Sequence, residues 1–237
     1  GIDEDCIEIV QGDSDRIAQG GGTGGSRSVT VQSTATYQMT RQMVAGFAEF
    51  LTRHTGAPFD FESGIFAASG TNQRFTLIEA AELARQAGEE ALLRHDARIT
   101  LDDRCYPNGA HLCEVEIDPE TGALRLDRYL AVDDFGNLMH PMLAEGQVHG
   151  GIAQGFGQAV MENLALDAEG QILSGSFMDY ALPRATDLPM IGFESVPVPS
   201  KNNPLGMKGC GEAGTVGALA ALSNAALDAL WERGVRH

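Results

Sequence analysis

The sequence predicts an α+β fold, two lobes of mixed β-sheet with packed helices. A period-two hairpin pattern lies in the middle of the chain, helical patterns flank it, and strands and helices do not alternate in a βαβ series. The 237 residues suit one large domain or two small lobes, and we place such lobes at 1–105 and 106–237.

Taken in order, Ile7–Val10 reads as a short strand ending at Gln11-Gly12-Asp13. A loop follows from Ser14 to Ser28, carrying Gly20, Gly21, Gly22, Gly24 and Gly25. Tyr37 to His54 has helical spacing, with Met39, Met43, Phe47, Phe50 and Leu51 on one face, and Gly56 and Pro58 stop it. Ile65–Ala68 reads as a strand, and Thr76-Leu77-Ile78-Glu79 is a capping box that starts a helix running to about Gln86. Glu89–Asp103 shows neither period. His111–Asp118 and Ala123–Val132 alternate in hydrophobicity and are joined by Pro119-Glu120-Thr121-Gly122, which predicts a hairpin. Asp133–Asn137 is a polar turn beyond it.

Leu143–Leu164 contains Gly146, Gly150, Gly151, Gly155 and Gly157. Each glycine costs a helix roughly 1 kcal/mol, so a helix here must lie very close to another helix or to a large flat ligand. Ile172–Tyr180 and Met190–Val196 read as strands. A final apolar helix covers Val216, Leu219, Ala220, Leu222, Ala226, Leu227 and Leu230 and ends near Gly234.

Composition narrows the function. The net charge of −17 argues against nucleic acid and anionic membrane as partners, since both need basic surface. A local nest with one or two cations can still hold a phosphate. No apolar run approaches the roughly 20 residues of a membrane span. The acidic opening Gly-Ile-Asp-Glu-Asp is no secretory signal. Cys6, Cys105, Cys113 and Cys210 have no Cys-x-x-Cys spacing, which argues against a zinc site or redox dithiol and reads as reduced thiols of a cytoplasmic protein. Gly1 has no methionine before it, which points to a processed chain or a piece of a longer one.

The chemistry concentrates in Gly206-Met207-Lys208-Gly209-Cys210-Gly211-Glu212-Ala213-Gly214. Small residues let backbone approach a ligand, and a carboxylate just before a helix N-terminus can orient that ligand or act as a base. The plainer reading is an acidic N-cap neighbourhood. Gly20–Ser28 and Gly146–Gly157 are two further glycine-rich segments with polar side chains. Together the three are expected to close around one extended, anionic ligand, with Gly25, Gln147 and Gly211 facing one cleft. No segment fits a P-loop or a Rossmann fingerprint.

Four blocks, in order, resemble the molybdenum-binding large subunit of the molybdenum hydroxylases, the family of xanthine dehydrogenase, aldehyde oxidase and aerobic carbon monoxide dehydrogenase. They are Gly12–Asp15 with Gly22–Ser28; Val132–Asn137 with Pro141 and Glu145–Gly155; Asp179–Pro183; and Asn203–Gly214 followed by Asn224 and Asp228. The chain is closer to the carbon monoxide dehydrogenase-like branch. The resemblance covers nearly all of 1–237 and implies the C-terminal part of a molybdopterin-binding domain.

It also implies a molybdenum-molybdopterin cofactor, with or without an attached cytidine nucleotide, whose metal needs no protein side chain as ligand. Glu212 matches the family glutamate that acts as base while a small carbon substrate is oxidised with oxygen from water. Gly24, Gly25, Ser26, Arg27, Ser28, Gln147 and Gly211 are implied to bind the cofactor, Arg27 either pairing with phosphate or remaining a solvated loop residue. We read Lys208 as the partner of a structural carboxylate, His149 as packing and Asp13 as a turn cap. After Ser28 the family has more glycine, where this chain has Val29-Thr30-Val31-Gln32-Ser33-Thr34.

Family large subunits extend far upstream, so the resemblance implies half of a cofactor site. The remaining large-subunit portion and the iron–sulfur and flavin (FAD) subunits or domains are then the expected partners, and an exposed apolar surface should make the lone chain self-associate. The rival readings are a non-catalytic assembly module that keeps the fold and binds no cofactor, and an unrelated phosphate-ligand enzyme.

Overall fold

A computed structural model describes residues 2–17 and 19–236. Gly1, which carries the expectation of a processed or longer chain, lies outside them, as does Ala18 of the Ser14–Ser28 loop. The order of helices and strands is α1 (Ser28–Thr55), β1 (Phe59–Glu62), β2 (Ile65–Ala68), β3 (Arg74–Thr76), α2 (Leu77–Gln86), β4 (Asn108–Ile117), β5 (Leu124–Asp134), α3 (Pro141–Phe156), β6 (Ile191–Ser195) and α4 (Ala213–Leu230). The fold class is α+β, as the sequence predicts. Two compact units divide the chain, one of 1–22 and 31–100, the other of 23–30 and 101–237. The first glycine loop thus ends in the second unit, with the Glu212 loop.

In the first unit β1, β2 and β3 form an antiparallel meander. Phe47, Phe50 and Leu51 of α1 bury against Phe59, Phe66 and Ala68 of the sheet and against Ala80 and Ala84 of α2. The capping box at α2 is present in both directions, Glu79 N–H to Thr76 Oγ1 at 3.2 Å and Thr76 N–H to Glu79 Oε2 at 2.7 Å. Helix α1 starts at Ser28 and not near Tyr37. Its first turns carry Val29, Thr30 and Val31, β-branched residues that hide a helix start from a propensity reading.

In the second unit β4 and β5 are the predicted hairpin, antiparallel from Asn108↔Asp134 to Ile117↔Leu124. Strand β6 adds in parallel, Tyr129↔Ile191 to Asp133↔Ser195, so this sheet is mixed. Val148, Ile152 and Phe156 of α3 and Ala218 and Leu222 of α4 pack with Leu126, Tyr129, Ala131 and Phe135. The glycines of α3 meet another helix. A β-carbon on Gly151 would stand 2.8 Å from Thr215 N, and one on Gly214 would stand 2.4 Å from Val148 O, so the two backbones touch.

Three further expectations are corrected. Ile7–Val10 is not a strand among the described residues: it follows a capped 3₁₀ turn at Glu4–Cys6, and Ile7 and Ile9 are exposed with no strand beside them. Ile172–Tyr180 contributes only the bridge Leu166↔Ile172. Its end folds into a local turn, where the Asp179 and Tyr180 N–H groups donate to Ser176 O and Ser176 Oγ donates to Asp179 Oδ2. Such local bonds compete with a strand ladder. Finally, Ala213–Arg233, 21 residues with a window of mean hydropathy 1.3, is long and apolar enough to cross a membrane, against the expectation that no run reaches that length. In this fold it packs on α3 through Gly214, Ala218 and Leu222.

Candidate functional site

The loop that carries Glu212 is fixed from below by its own sequence. Asn203 Nδ2 donates to Met207 O at 2.8 Å and its Oδ1 accepts from Met207 N–H at 3.0 Å, closing the turn around Pro204 and Leu205. The Lys208 N–H donates to Phe135 O at 2.8 Å and the Asn137 N–H to Gly206 O at 3.0 Å. The loop therefore docks on the polar turn at the end of β5.

Lys208 then turns its ammonium to Asp134 Oδ2 at 2.5 Å, both side chains nearly buried. Burial pulls the Asp134 carboxyl upward, but the Lys208 ammonium and the N–H groups of Val198 and Gly136 together hold it below the usual carboxylate range. Lys208 is the partner of a structural carboxylate, as read from sequence. Burial pushes the Cys210 thiol up, so it is no ready thiolate.

Above this support the first glycine loop arrives. Gly25 (φ 61°) and Ser26 (φ 53°) both take the left-handed conformation, which few non-glycine residues adopt. The Ser26 hydroxyl donates to Glu212 Oε2 at 2.6 Å. The approach is so close that a β-carbon on Gly209 would stand 1.7 Å from Ser26 O. Glu212 occupies the N-cap position of α4 but makes no side-chain capping bond. The plainer reading of Glu212 as a helix cap is thus not what its carboxylate does.

A cleft of about 560 Å³ opens beside this contact. Its walls include Gly25, Ser26 and Glu212 at one side, and Asn108, His111 and Asp133 of the hairpin. His111 Nδ1 lies 2.7 Å from the Tyr129 hydroxyl and His111 Nε2 lies 3.4 Å from Asp133 Oδ1. The side chains of His111 and Asp133 are 5% and 3% exposed, and Asp133 Oδ2 is buried without a hydrogen-bond partner among the described residues. Burial, then Cys113 and Asp133, pushes the Tyr129 hydroxyl well above its ordinary pKa.

Sequence reasoning missed this trio. The signal was present: Tyr129 and Asp133 share a face of β5 by period two, and the register puts His111 beside them on β4. Polar residues on an otherwise apolar face mark such a cluster.

Of the residues expected to bind a cofactor, Gly25 and Ser26 line the cleft, and Gly24, Arg27, Ser28, Gln147 and Gly211 stand outside its walls. Gln147 Nε2 nevertheless donates to Gly211 O at 3.2 Å, so the second glycine segment reaches the third, and the first reaches it through Ser26. Ser28 Oγ is in close contact with Thr23 Oγ1. The three segments converge, but of Gly25, Gln147 and Gly211 only Gly25 lines the cleft.

The glycine segments leave room for a large ligand. A β-carbon on Gly24, Gly25, Gly146 or Gly150 would meet no atom within 4 Å, so the backbone there is open to a ligand. Among the described residues no group of three or more His, Cys, Asp or Glu could hold a metal ion.

Comparison with known proteins gives the family. Residues 1–189 match the model of the molybdopterin cofactor-binding domain, and the chain belongs to that family. It is 32% identical over its whole length to the carbon monoxide dehydrogenase large chain of Hydrogenophaga pseudoflava, of which it covers 30%. It is 34% identical over 94% of its length to the 6-hydroxypseudooxynicotine dehydrogenase complex subunit gamma of Paenarthrobacter nicotinovorans, of which it covers 29%. The carbon monoxide dehydrogenase structure from Oligotropha carboxidovorans superposes with a TM-score of 0.85 at 31% identity, over 98% of this chain and 30% of that one. The chain thus spans about a third of the length of these relatives. The matched range 1–189 stops short of Glu212, while the whole-length alignment passes through it.

Proposed function

We propose that this chain is the C-terminal molybdopterin-binding portion of a molybdenum hydroxylase that oxidises a small carbon substrate with water as the oxygen source. The single observation that supports it most is the meeting of the Gly25–Ser26 turn with Glu212 at 2.6 Å, in a family that binds molybdopterin. Gly24, Gly25, Ser26, Arg27 and Ser28 would hold the cofactor from one side, and Gln147 and Gly211 from another. The cofactor supplies the two-electron redox centre and the acidity that makes water nucleophilic. The protein supplies the proton acceptor. Glu212 takes the proton at Oε1 while Oε2 stays bonded to Ser26, and a base positioned in this way contributes about 10²–10⁴-fold. A cytidine nucleotide on the pterin, iron–sulfur and flavin partner subunits, and a cytoplasmic setting go with this reading.

The lone chain is incomplete for this work. Phe177, Met178 and Met190 are 83%, 95% and 93% exposed, and Met139, Met142 and Leu143 stand out near the start of α3. Exposed apolar residues in such number favour a covering partner or self-association.

Co-expression with the subunits encoded beside it tests the proposal. Elemental analysis and mass spectrometry should find molybdenum and pterin in the complex, and neither in the lone chain, which light scattering should show as oligomers. A complex without molybdenum removes the cofactor reading. Stoichiometric pterin on the lone chain removes the half-site reading.

A further inference from the structure

In the cofactor reading the Gly24–Ser28 loop holds the cofactor, and nothing in that reading uses the Ser26 hydroxyl. We infer that the Ser26 side chain is a positioning residue for Glu212, and this rests on Glu212 acting as the base. Three observations carry it. The hydroxyl donates to Glu212 Oε2 at 2.6 Å across 186 residues of sequence, which takes up one carboxylate oxygen and leaves Oε1 for the proton. The backbone holds Ser26 at φ 53°, a strained conformation for a residue with a side chain, which persists only where surroundings impose it. Those surroundings are glycines: a β-carbon on Gly209 would stand 1.7 Å from Ser26 O, and one on Gly211 would stand 3.2 Å from Ser26 Oγ. The glycines of the 206–214 loop at these two positions thus seat a serine turn as well as leaving room for a cofactor.

The alternatives for that carboxylate are closed off locally. It forms no cap on α4, and Lys208, the cation nearest in sequence, is bonded to Asp134. Without the hydroxyl Glu212 is a half-free side chain on an exposed loop, and a misplacement of about 1 Å costs on the order of 10²-fold in rate.

The test uses the complete enzyme and the Ser26→Gly variant, because glycine keeps the left-handed turn while removing the hydroxyl. Ser26→Ala is the second variant. The expected result is a kcat lower by roughly 10- to 100-fold with KM little changed. Molybdenum content should be full, and a crystal structure should show the Glu212 carboxylate rotated away from its wild-type place. In a Glu212→Gln background Ser26→Gly should add nothing, because the two act as a unit. A normal rate in Ser26→Gly beside a crippled Glu212→Gln overturns the role of Ser26 and leaves the base in place. Loss of molybdenum in Ser26→Gly, which would make the hydroxyl itself a cofactor ligand, or full additivity with Glu212→Gln, also overturns it. A normal rate in Glu212→Gln removes the base and this inference with it.

Discussion

Glu212→Gln in the complete enzyme should lower turnover by about 10²–10⁴-fold, toward the upper end, while molybdenum content and melting temperature hold. Glutamine keeps the length and shape of the side chain, and its amide oxygen can still accept from the Ser26 hydroxyl. What it loses is the ability to take a proton. The fold should hardly respond, because Glu212 is exposed and its side chain caps nothing on α4. A purely structural glutamate predicts the reverse, a modest loss of stability with a near-normal rate. Steady-state kinetics, thermal melting and metal analysis on one preparation separate the two.

Lys208→Met should strongly destabilise the second unit. Lys208 and Asp134 are 11% and 12% exposed in their side chains, and Asp134 also accepts from the N–H groups of Gly136 and Val198. Breaking a buried pair by removing one partner leaves the other charge uncompensated, at a cost of roughly 3–5 kcal/mol. The pH dependence has a definite sign. Asp134 has a depressed pKa in the folded state, so its contribution is present above the unfolded carboxyl value of about 3.9 and is lost as pH falls through the folded value. Denaturant melts of the wild type should weaken in that acid range, and the Lys208→Met variant should show a flatter profile there. Equal stability of the two proteins at neutral pH would show that the pair holds nothing together.

Much of this molecule was legible in the sequence, for identifiable reasons. The Thr76–Glu79 box and the His111–Val132 hairpin announce themselves through local chemistry, so α2, β4 and β5 fall where expected. The glycines of 146–157 forced the choice between a helix partner and a flat ligand, and α4 is the partner, with backbone contact at Gly151 and Gly214. The reading failed where tertiary context decides. Ile7–Val10 has the residues of a strand but no neighbour to pair with, and Ile172–Tyr180 gives its backbone bonds to a local turn at Ser176. In the site, Glu212 and the glycine nest were visible from motif and spacing. The Ser26 hydroxyl and the His111–Tyr129–Asp133 trio were not, because each depends on residues far apart in sequence meeting in space.

We propose that the Gly24–Ser28 loop and Glu212 together flank a molybdenum cofactor. Anomalous diffraction at the molybdenum absorption edge, on crystals of the complete complex, tests it most directly. A single molybdenum peak is expected on the face where Ser26 meets Glu212, with the carboxylate within reach of it directly or through one water. A peak remote from Glu212, with the Gly24–Ser28 loop empty of pterin density, would contradict it.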